Sequence, residues 1–286
     1  MRESESGDVR AAGSDPGDGR CRGQTPVIRR LKVADSARRS PSPLGGSHTM
    51  NWSRATNFER YRPNSRGPDL CLHDRMARRA RCFVEGLSCH VMQRGVNRGL
   101  MFRGPTDCRV FLTILKHETE RLGVRVHAYV LMRNHVHLLA TPEQPTSLPR
   151  TMQSIGRRYV QFFNHRYART GGLWEGRYRT ALVYDERYWL ACLRYIELNP
   201  VRAGIVVSPD QYRWSSYLHH AFGKADQLIT EHALYESLGS SSEAREFAWR
   251  ELCGQQIPAD QIELMRRSIR SGLVIAEPVY REVEAL

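Results

Sequence analysis

Two histidines separated by one residue could bind a metal ion. His135 and His137 flank Val136 in a stretch where apolar and polar residues alternate. Side chains at i and i+2 of a strand point to the same face, so both imidazoles could meet one ion while Val136 enters the core. Two ligands leave coordination positions open, as a catalytic metal requires. Alone, the pair is weak evidence, because strand histidines are also commonly held by ordinary hydrogen bonds.

Tyr195 and Asn199 could supply a nucleophile and a further ligand. Their i, i+4 spacing places them one above the other on a helix. A tyrosine hydroxyl with a pKa near 10 is a poor nucleophile. Beside a divalent cation that polarises a phosphodiester, the same hydroxyl can attack phosphorus. The alternative is a tyrosine at the core edge with its hydroxyl in water, and an asparagine that caps a helix before Pro200.

The elements that must position these residues alternate between strands and helices. Hydrophobic alternation predicts strands at 87–93, 124–131, 135–140 and 177–183. Three helices are predicted: one capped by Thr106 and stopped by Gly123, a long one ended by Gly171, and one from Asp185 stopped by Pro200. The order β-α-β-β-α-β-α is the split-βαβ, ferredoxin-like plan of an α+β domain. Short helices are expected after residue 205, with 231–239, 243–252 and 259–270 the best candidates.

The second predicted strand has a pattern that assigns its two faces. Val124, Val126, Ala128 and Val130 are expected on one face, and Arg125, His127, Tyr129 and Leu131 on the other. His90 and His127 could line the site, but each is interpreted as a strand histidine with a local hydrogen-bond partner.

Charge divides the chain of 286 residues into three parts. The net charge is +13 overall, with +5 in residues 1–75, +12 in 76–180 and −4 in 181–286. The basic middle part predicts a polyanionic partner, most simply nucleic acid. No apolar run approaches the roughly 18–20 residues of a membrane span, and the start has no apolar signal segment. We therefore expect no membrane association and a cytoplasmic location.

Residues 1–75 differ in composition from the rest. They contain 8 Gly, 6 Pro and 9 Ser and show no hydrophobic period. Such a segment cannot bury enough apolar surface to fold, so we expect a disordered extension or an untranslated one with Met76 as the true start. The predicted domains are 76–205, the catalytic part, and 206–286, a helical extension expected to pack on it. Seven cysteines with no CxxC pair argue against a zinc ribbon or disulfide framework.

Taken together, these motifs resemble REP-associated tyrosine transposases, a branch of the IS200-like, single-tyrosine transposases. Residues 132–139 (MRNHVHLL) match the His-hydrophobe-His segment, called HUH, and residues 195–204 (YIELNPVRAG) match the tyrosine helix. Further matches are HVMQRG at 90–95, LWEGRY at 173–178, WSSY at 214–217 and GLV at 272–274. The resemblance covers about 76–286, and the order and spacing of the motifs make it specific.

The resemblance implies an activity and a set of site residues. His135, His137 and Asn199 would bind Mg²⁺ or Mn²⁺, and Tyr195 would attack single-stranded or hairpin DNA to form a 5′-phosphotyrosine link. This is DNA cleavage and rejoining, the chemistry of DNA transposition and recombination, on REP-like hairpins of a bacterial nucleoid. Other relatives in the wider family have Gln at the Asn199 position. Both monomers and dimers occur among relatives, so the oligomeric state stays open.

Several residues of the basic region are candidates for DNA contact. Arginines suit phosphates and aromatic side chains suit unpaired bases, although about half of such arginines could be solvated surface. The candidates are Arg94, Arg98, Arg103, Arg157, Arg158, Arg177, Arg179 and Trp174.

Tyr159 is a rival nucleophile, because it also lies on a predicted helix between arginines. It falls on the apolar stripe, and position 163, one turn later, is Phe, which cannot bind metal. We therefore predict a core or base-stacking role. An alternative function is a DNA- or RNA-hairpin-binding regulator that has lost catalysis. A small-molecule metallohydrolase is a third, but neither motif has a suitably placed carboxylate to activate water.

Overall fold

The computed structural model describes Arg81 and residues 83–272. The expectations for 1–75, Met76, Cys21, Cys71 and Cys82 lie outside the described residues, as do the last two positions of the GLV motif. The strands are β1 (Cys89–Arg94), β2 (Val124–Met132), β3 (His135–Pro142) and β4 (Arg179–Leu182). The helices are α1 (Pro105–Leu122), α2 (Ser147–Arg166), α3 (Glu186–Glu197), α4 (Asn199–Arg202), α5 (Tyr217–Phe222), α6 (Ala233–Glu236), α7 (Ser242–Gly254) and α8 (Ala259–Ser271).

The four strands form one antiparallel sheet in the order β2-β3-β1-β4. With the helices after β1 and β3, this order confirms the predicted ferredoxin-like plan. The paired histidines lie on the central strand β3, which pairs with the other central strand, β1, so that His135 lies opposite Arg94 and His137 opposite Met92. Strands paired on both sides have all their backbone groups bonded, which makes them rigid supports for a site.

Each face of the sheet is covered by a separate hydrophobic core. On one face, Val91, Val136 and Leu138 pack with Phe111 of α1 and Tyr159 of α2. On the other, Met92 and Leu139 pack with residues of α3 and of the helices that follow it, among them Trp189, Ile196, Trp249 and Met265. His135 and His137 alternate with Val136 and so belong to the second face, which we call the α3 face.

The predicted alternation in β2 is wrong in its second half. A register shift between Val126 and Ala128 interrupts the pairing of β2 with β3. Val126 therefore shares a core with Tyr129 and Leu131, whereas Ala128 and Val130 lie in the core of the α3 face. One extra residue in a bulge exchanges the two faces of everything after it, and period-2 counting cannot detect this.

Two predicted helix limits also differ from the structure. The N-cap of α1 is Gly104 rather than Thr106, because the Asp107 carboxylate accepts hydrogen bonds from the backbone N–H groups of Arg103 and Gly104, at 2.7 and 3.1 Å. Helix α2 ends at Arg166, before Gly171. Gly123 ends α1 as predicted, with a left-handed φ of 66° that glycine adopts without strain.

Pro200 does not stop the third helix as predicted. Helix α3 already ends at Glu197, and Pro200 lies in the first turn of the short helix α4. Proline is tolerated there because a first-turn N–H has no helical acceptor. Asp185 caps α3 as expected and accepts a hydrogen bond from the Arg187 N–H at 2.8 Å.

The segment after residue 205 packs on the α3 face through a buried carboxylate. Glu197, fully buried, accepts hydrogen bonds from Ser216 Oγ at 2.5 Å, His220 Nδ1 at 2.7 Å and Trp249 Nε1 at 2.9 Å. Three separate parts of this C-terminal segment thus meet one side chain of α3. Helix α5, which contributes His220, is not among the predicted elements.

Backbone contacts also tie this segment to β2. The Ser216 N–H donates to the Tyr129 carbonyl, and the Thr230 N–H donates to that of Val126. The predicted domain boundary at 205 stays a prediction. Within the described part of the chain, no helix has both the length and the apolar character needed to cross a bilayer.

Candidate active site

Three of the predicted site residues come together on the α3 face. The ring of Tyr195, on α3, lies 5.9 Å from that of His137, and the His135 and His137 rings are 5.1 Å apart, all between centroids. Tyr195 is 5% exposed and His137 is 4% exposed. Helix α3 therefore places the candidate nucleophile beside the candidate ligands within one chain.

His90 is a fourth member of this cluster. Its Nε2 lies 2.8 Å from Nδ1 of His137, and its ring is 5.7 Å from that of Tyr195. Its other nitrogen, Nδ1, is buried without a hydrogen-bond partner. The interpretation as an ordinary strand histidine underestimated His90, because the register that places it beside β3 is not visible in sequence. His127 does have local partners, the Thr141 hydroxyl and the Thr230 carbonyl.

Burial keeps the clustered histidines neutral. Desolvation lowers the pKa of His135 to about 4, with Arg94 contributing, and lowers the pKa of His90 to about 3. Burial also lowers the pKa of His137 well below its usual value, and the nearby histidines and Arg202 add to this shift. A neutral imidazole is the form that binds a metal, so these side chains are available as ligands at physiological pH.

The residues present fit a divalent cation with mixed ligands. Asn199 begins α4, is 8% exposed, and has a buried side-chain Nδ2 with no partner. A carboxamide oxygen can bind both Mg²⁺ and Mn²⁺. Of these two ions, Mn²⁺ accepts imidazole nitrogen more readily. No group of three His, Cys, Asp or Glu side chains that could hold a metal occurs among the described residues. In the predicted ligand set of His135, His137 and Asn199, the third ligand would therefore be the Asn199 amide.

Arg202 is a site residue that the sequence reasoning missed. Its guanidinium lies 4.1 Å from the centre of the Tyr195 ring, and its Nη1 donates to the Tyr195 carbonyl at 3.4 Å. The signal was present in the sequence, because Arg202 follows Tyr195 by seven residues, about two helical turns. A cation over the ring of the candidate nucleophile is placed where it would stabilise negative charge on that side chain.

Tyr159 occupies a core position on the opposite face. It is fully buried, its hydroxyl donates to the Met101 carbonyl at 2.7 Å, and Phe111 and Phe102 pack against its ring. It has no contact with the paired histidines. Of the two predicted roles, core packing is the one the structure shows.

Three of the predicted DNA-binding residues line a groove between α2 and the loop before β4. The groove has a volume of about 880 Å³ and opens on the α1–α2 side of the sheet. Arg157, Arg177 and Trp174 line it, together with Arg81, Arg150, Gln93 and Tyr178. Every lining residue lies between positions 81 and 178, in the basic part of the sequence.

The remaining predicted DNA-binding residues lie elsewhere. Arg94 and Arg179 are on β1 and β4, where Arg94 pairs with His135 and Arg179 with Met92, beside the candidate site. Arg98 is exposed in the loop after β1. Arg103 lies over the Tyr167 ring at 4.4 Å. Arg158 forms an ion pair with the buried Glu118, which leaves it less free to meet a phosphate.

Residues 83–199 match the family model of the IS200-like transposases. This segment, 117 of the 286 residues, belongs to the IS200-like transposase family. The matched segment runs from just before β1 to Asn199, so it contains the paired histidines, Tyr195 and the candidate third ligand. The resemblance described from the motifs is confirmed at this level, and the transposase has the fold that the motifs implied. Transposases act on DNA, which agrees with the excess of arginine.

Two solved structures are similar to the transposase. One is a REP-associated tyrosine transposase bound to a REP hairpin, 17% identical, with 55% of this chain and 93% of that chain covered and a TM-score of 0.43. The other is a putative transposase from Deinococcus radiodurans R1, 21% identical, with 40% and 92% covered and a TM-score of 0.30. No curated protein matches the transposase in sequence.

Proposed function

We propose that this transposase is a metal-dependent DNA strand transferase of the REP-associated branch. It cleaves and rejoins single-stranded or hairpin DNA and uses Tyr195 as its nucleophile. The observation that carries the proposal is the 5.9 Å separation of the Tyr195 and His137 rings within one chain. An idle hairpin-binding regulator would have no need to keep a tyrosine beside two neutral, buried histidines.

The site residues divide the chemistry between them. His135, His137 and Asn199 would hold Mg²⁺ or Mn²⁺, which when bound would polarise the scissile phosphodiester. The Oη atom of Tyr195 forms a bond to phosphorus as the bond from phosphorus to the 3′ oxygen breaks. The phenolic proton leaves to solvent and the departing oxygen takes up a proton, which gives a 5′-phosphotyrosine and a free 3′-OH. The ester conserves the bond energy, so attack by a second 3′-OH rejoins DNA without ATP.

The groove on the α1–α2 side gives the DNA a path to this site. Arg157 and Arg177 supply charge for the backbone, and Trp174 supplies an aromatic ring against which an unpaired base stacks. Trp174 also forms a β-bridge with Gly95, the residue after Arg94. The loop that lines the groove is thereby joined to the end of β1, next to His135. A DNA strand that follows this loop would pass from the groove to the α3 face. The proposed targets are REP-like hairpins of the bacterial nucleoid.

Replacement of Tyr195 tests the proposed nucleophile. The full chain is incubated with Mn²⁺ or Mg²⁺ and labelled hairpin oligonucleotides that carry single-stranded flanks from the surrounding genome. On a denaturing gel, we expect a covalent protein–DNA band that disappears with EDTA and with Tyr195→Phe. Tyr159→Phe is the matched control, since it removes one phenol hydroxyl from a helix but leaves the site intact. We expect it to keep the band and to lose about 1 kcal/mol of stability.

Other outcomes of this experiment point to other functions. Loss of the band in Tyr159→Phe but not in Tyr195→Phe would overturn the assignment of the nucleophile. Tight hairpin binding that weakens with salt, with no band for any protein, would favour the regulator. Hydrolysis of a phosphomonoester with no activity on DNA would favour the metallohydrolase.

A further inference from the structure

His90 and His137 share a hydrogen bond that has two possible forms. A bond between two ring nitrogens contains one hydrogen, which belongs either to His137 Nδ1 or to His90 Nε2. If His137 Nδ1 carries it, the Nε2 of His137 has a free lone pair. If His90 Nε2 carries it, a neutral His137 has its own hydrogen on Nε2 and cannot bind a metal through that atom. The state of His90 therefore decides whether His137 is a ligand.

The neighbouring histidine has an unambiguous partner. Nδ1 of His135 lies 2.7 Å from Oδ1 of Asn134, while Nδ2 of Asn134 donates to the Arg98 carbonyl at 3.2 Å. Because Oδ1 can only accept, His135 carries its hydrogen on Nδ1 and presents a free lone pair on Nε2. One ligand is thus already held in the metal-binding form by a side chain that touches it from behind.

We propose that His90 is a positioning residue that accepts the Nδ1 hydrogen of His137 and so presents the Nε2 of His137 to the metal. The inference rests on the proposed function, since it concerns the same metal site. A metal-binding histidine generally donates its other N–H to a fixed acceptor, which sets both the tautomer and the ring orientation. Here the acceptor is a second imidazole rather than a carboxylate or a carbonyl.

The surroundings of His90 support a role beyond packing. It is fully buried on β1, whose backbone pairs with both β3 and β4, so the position of its ring is fixed. In the proposed form its Nδ1 carries a hydrogen, and this atom has no partner. A buried polar atom without a partner generally lowers the stability of the folded protein. A histidine that costs stability at a buried position is better explained by what it does to His137.

The first test needs no metal. Long-range ¹H–¹⁵N NMR of the metal-free, full-length protein distinguishes the two tautomers of His137 by the shifts of its ring nitrogens. We expect the hydrogen on Nδ1 in the wild-type protein and in His90→Gln, whose side-chain oxygen can accept it. In His90→Phe we expect it on Nε2. A wild-type His137 with its hydrogen on Nε2 would overturn the proposal, whatever the metal does.

The second test measures Mn²⁺ affinity by calorimetry in the absence of DNA. We expect His90→Phe to weaken binding by about 10–100-fold and His90→Gln to restore most of the affinity. Hairpin affinity in EDTA and the thermal unfolding temperature serve to show that both variants are folded. Equal Mn²⁺ affinity in the wild type and His90→Phe, with loss in His137→Ala, would refute the role of His90 but leave the metal site intact. No Mn²⁺ binding by the wild type would refute the metal site itself.

Discussion

At the scale of single residues, the ring of Tyr195 lies between a cation and a pair of neutral imidazoles. The Arg202 guanidinium lies 4.1 Å from the centre of the ring. The rings of His90 on β1 and His137 on β3 make T-shaped contacts with it. Negative charge on the phenol oxygen would form in a site that is almost closed to water, where nearby charges act strongly. If Tyr195 is the nucleophile, as proposed, the guanidinium is placed to favour formation of the phosphotyrosine bond.

Arg202→Ala should slow formation of the covalent adduct without abolishing it. A cation over an aromatic ring contributes about 0.5–2 kcal/mol, so we expect a rate about tenfold lower. Arg202→Lys should keep part of the rate, because the charge remains. Single-turnover gels measure the rates. Arg213→Ala is the matched control, since Arg213 lies over the Trp214 ring at 4.7 Å, and an equal loss in both alanine variants would contradict a specific role of Arg202.

The sequence was sufficient to predict site residues that are recognised by their spacing from near neighbours in the chain. The separation of His135 from His137 on a strand and the position of Tyr195 on a helix are local, and the structure brings these three together. His90 was underestimated because its partner is 47 residues away and depends on strand order. Arg158 was counted as a DNA contact although it is paired with Glu118, which lies on another helix. Their roles in catalysis stay predictions.

At the scale of elements, three strands of the sheet carry histidines whose burial affects stability. His90 lies on β1, His135 and His137 on β3, and His127 on β2. Desolvation lowers the pKa of His127 to about 3, and the other three are lowered by the same cause. The unfolded chain takes up protons at these groups near pH 6.5, whereas the folded protein does not until the pH is far lower. Folding therefore opposes protonation in this interval.

The transposase should lose stability as the pH falls below 6.5. For each such histidine, the free energy of unfolding falls by about 1.4 kcal/mol as the pH is lowered from 7.5 to 5.5. Urea unfolding at the two pH values, in EDTA, measures the loss. His127→Gln should reduce the loss by about 1.4 kcal/mol, because one titrating group is removed. An undiminished loss in His127→Gln would refute this explanation.

Element order was predictable from the sequence, but details of the elements were not. The alternation of strands with helices was enough to place the sheet and three helices. The bulge at Val126 was missed because the residues after it still alternate, only on exchanged faces. Pro200 was taken as a stop, yet a proline in a first turn begins a helix as readily as it ends one. Tertiary contacts decide both cases.

At the scale of the whole molecule, the groove and the histidines around Tyr195 lie on opposite sides of the sheet. The groove is lined only by residues of the basic part. The acidic C-terminal segment packs mainly on the α3 face, although Leu228 and Ile229 also reach the core of the other face. No described residue of this segment lines the groove, so the segment brings no negative charge to the groove lining. Arg94 and the Trp174 loop lie where the two sides meet.

One chain should be sufficient to build the catalytic site. Tyr195 and the two histidine ligands meet within a single chain, so we expect no exchange of tyrosines between molecules. Mixtures of Tyr195→Phe and His137→Ala proteins, each inactive alone, should stay inactive in the adduct assay. A mixture of wild type and Tyr195→Phe should form adduct in proportion to the amount of wild-type protein. Recovery of the adduct in the first mixture would show that two chains share a site.

The three hydrogen bonds to Glu197 predict which substitutions a genetic screen would recover. Glu197 lies on α3 two residues after Tyr195 and two before Asn199, and its partners come from positions 216, 220 and 249. A genetic screen for lost transposition should therefore recover substitutions at Trp249 and His220, although neither touches the paired histidines. Suppressors of those lesions should arise on α3 or on other helices of the C-terminal segment. Substitutions in α3 and in the C-terminal segment would then occur together during evolution, because a change at Glu197 alone or at one of its partners alone leaves a buried polar group unpaired.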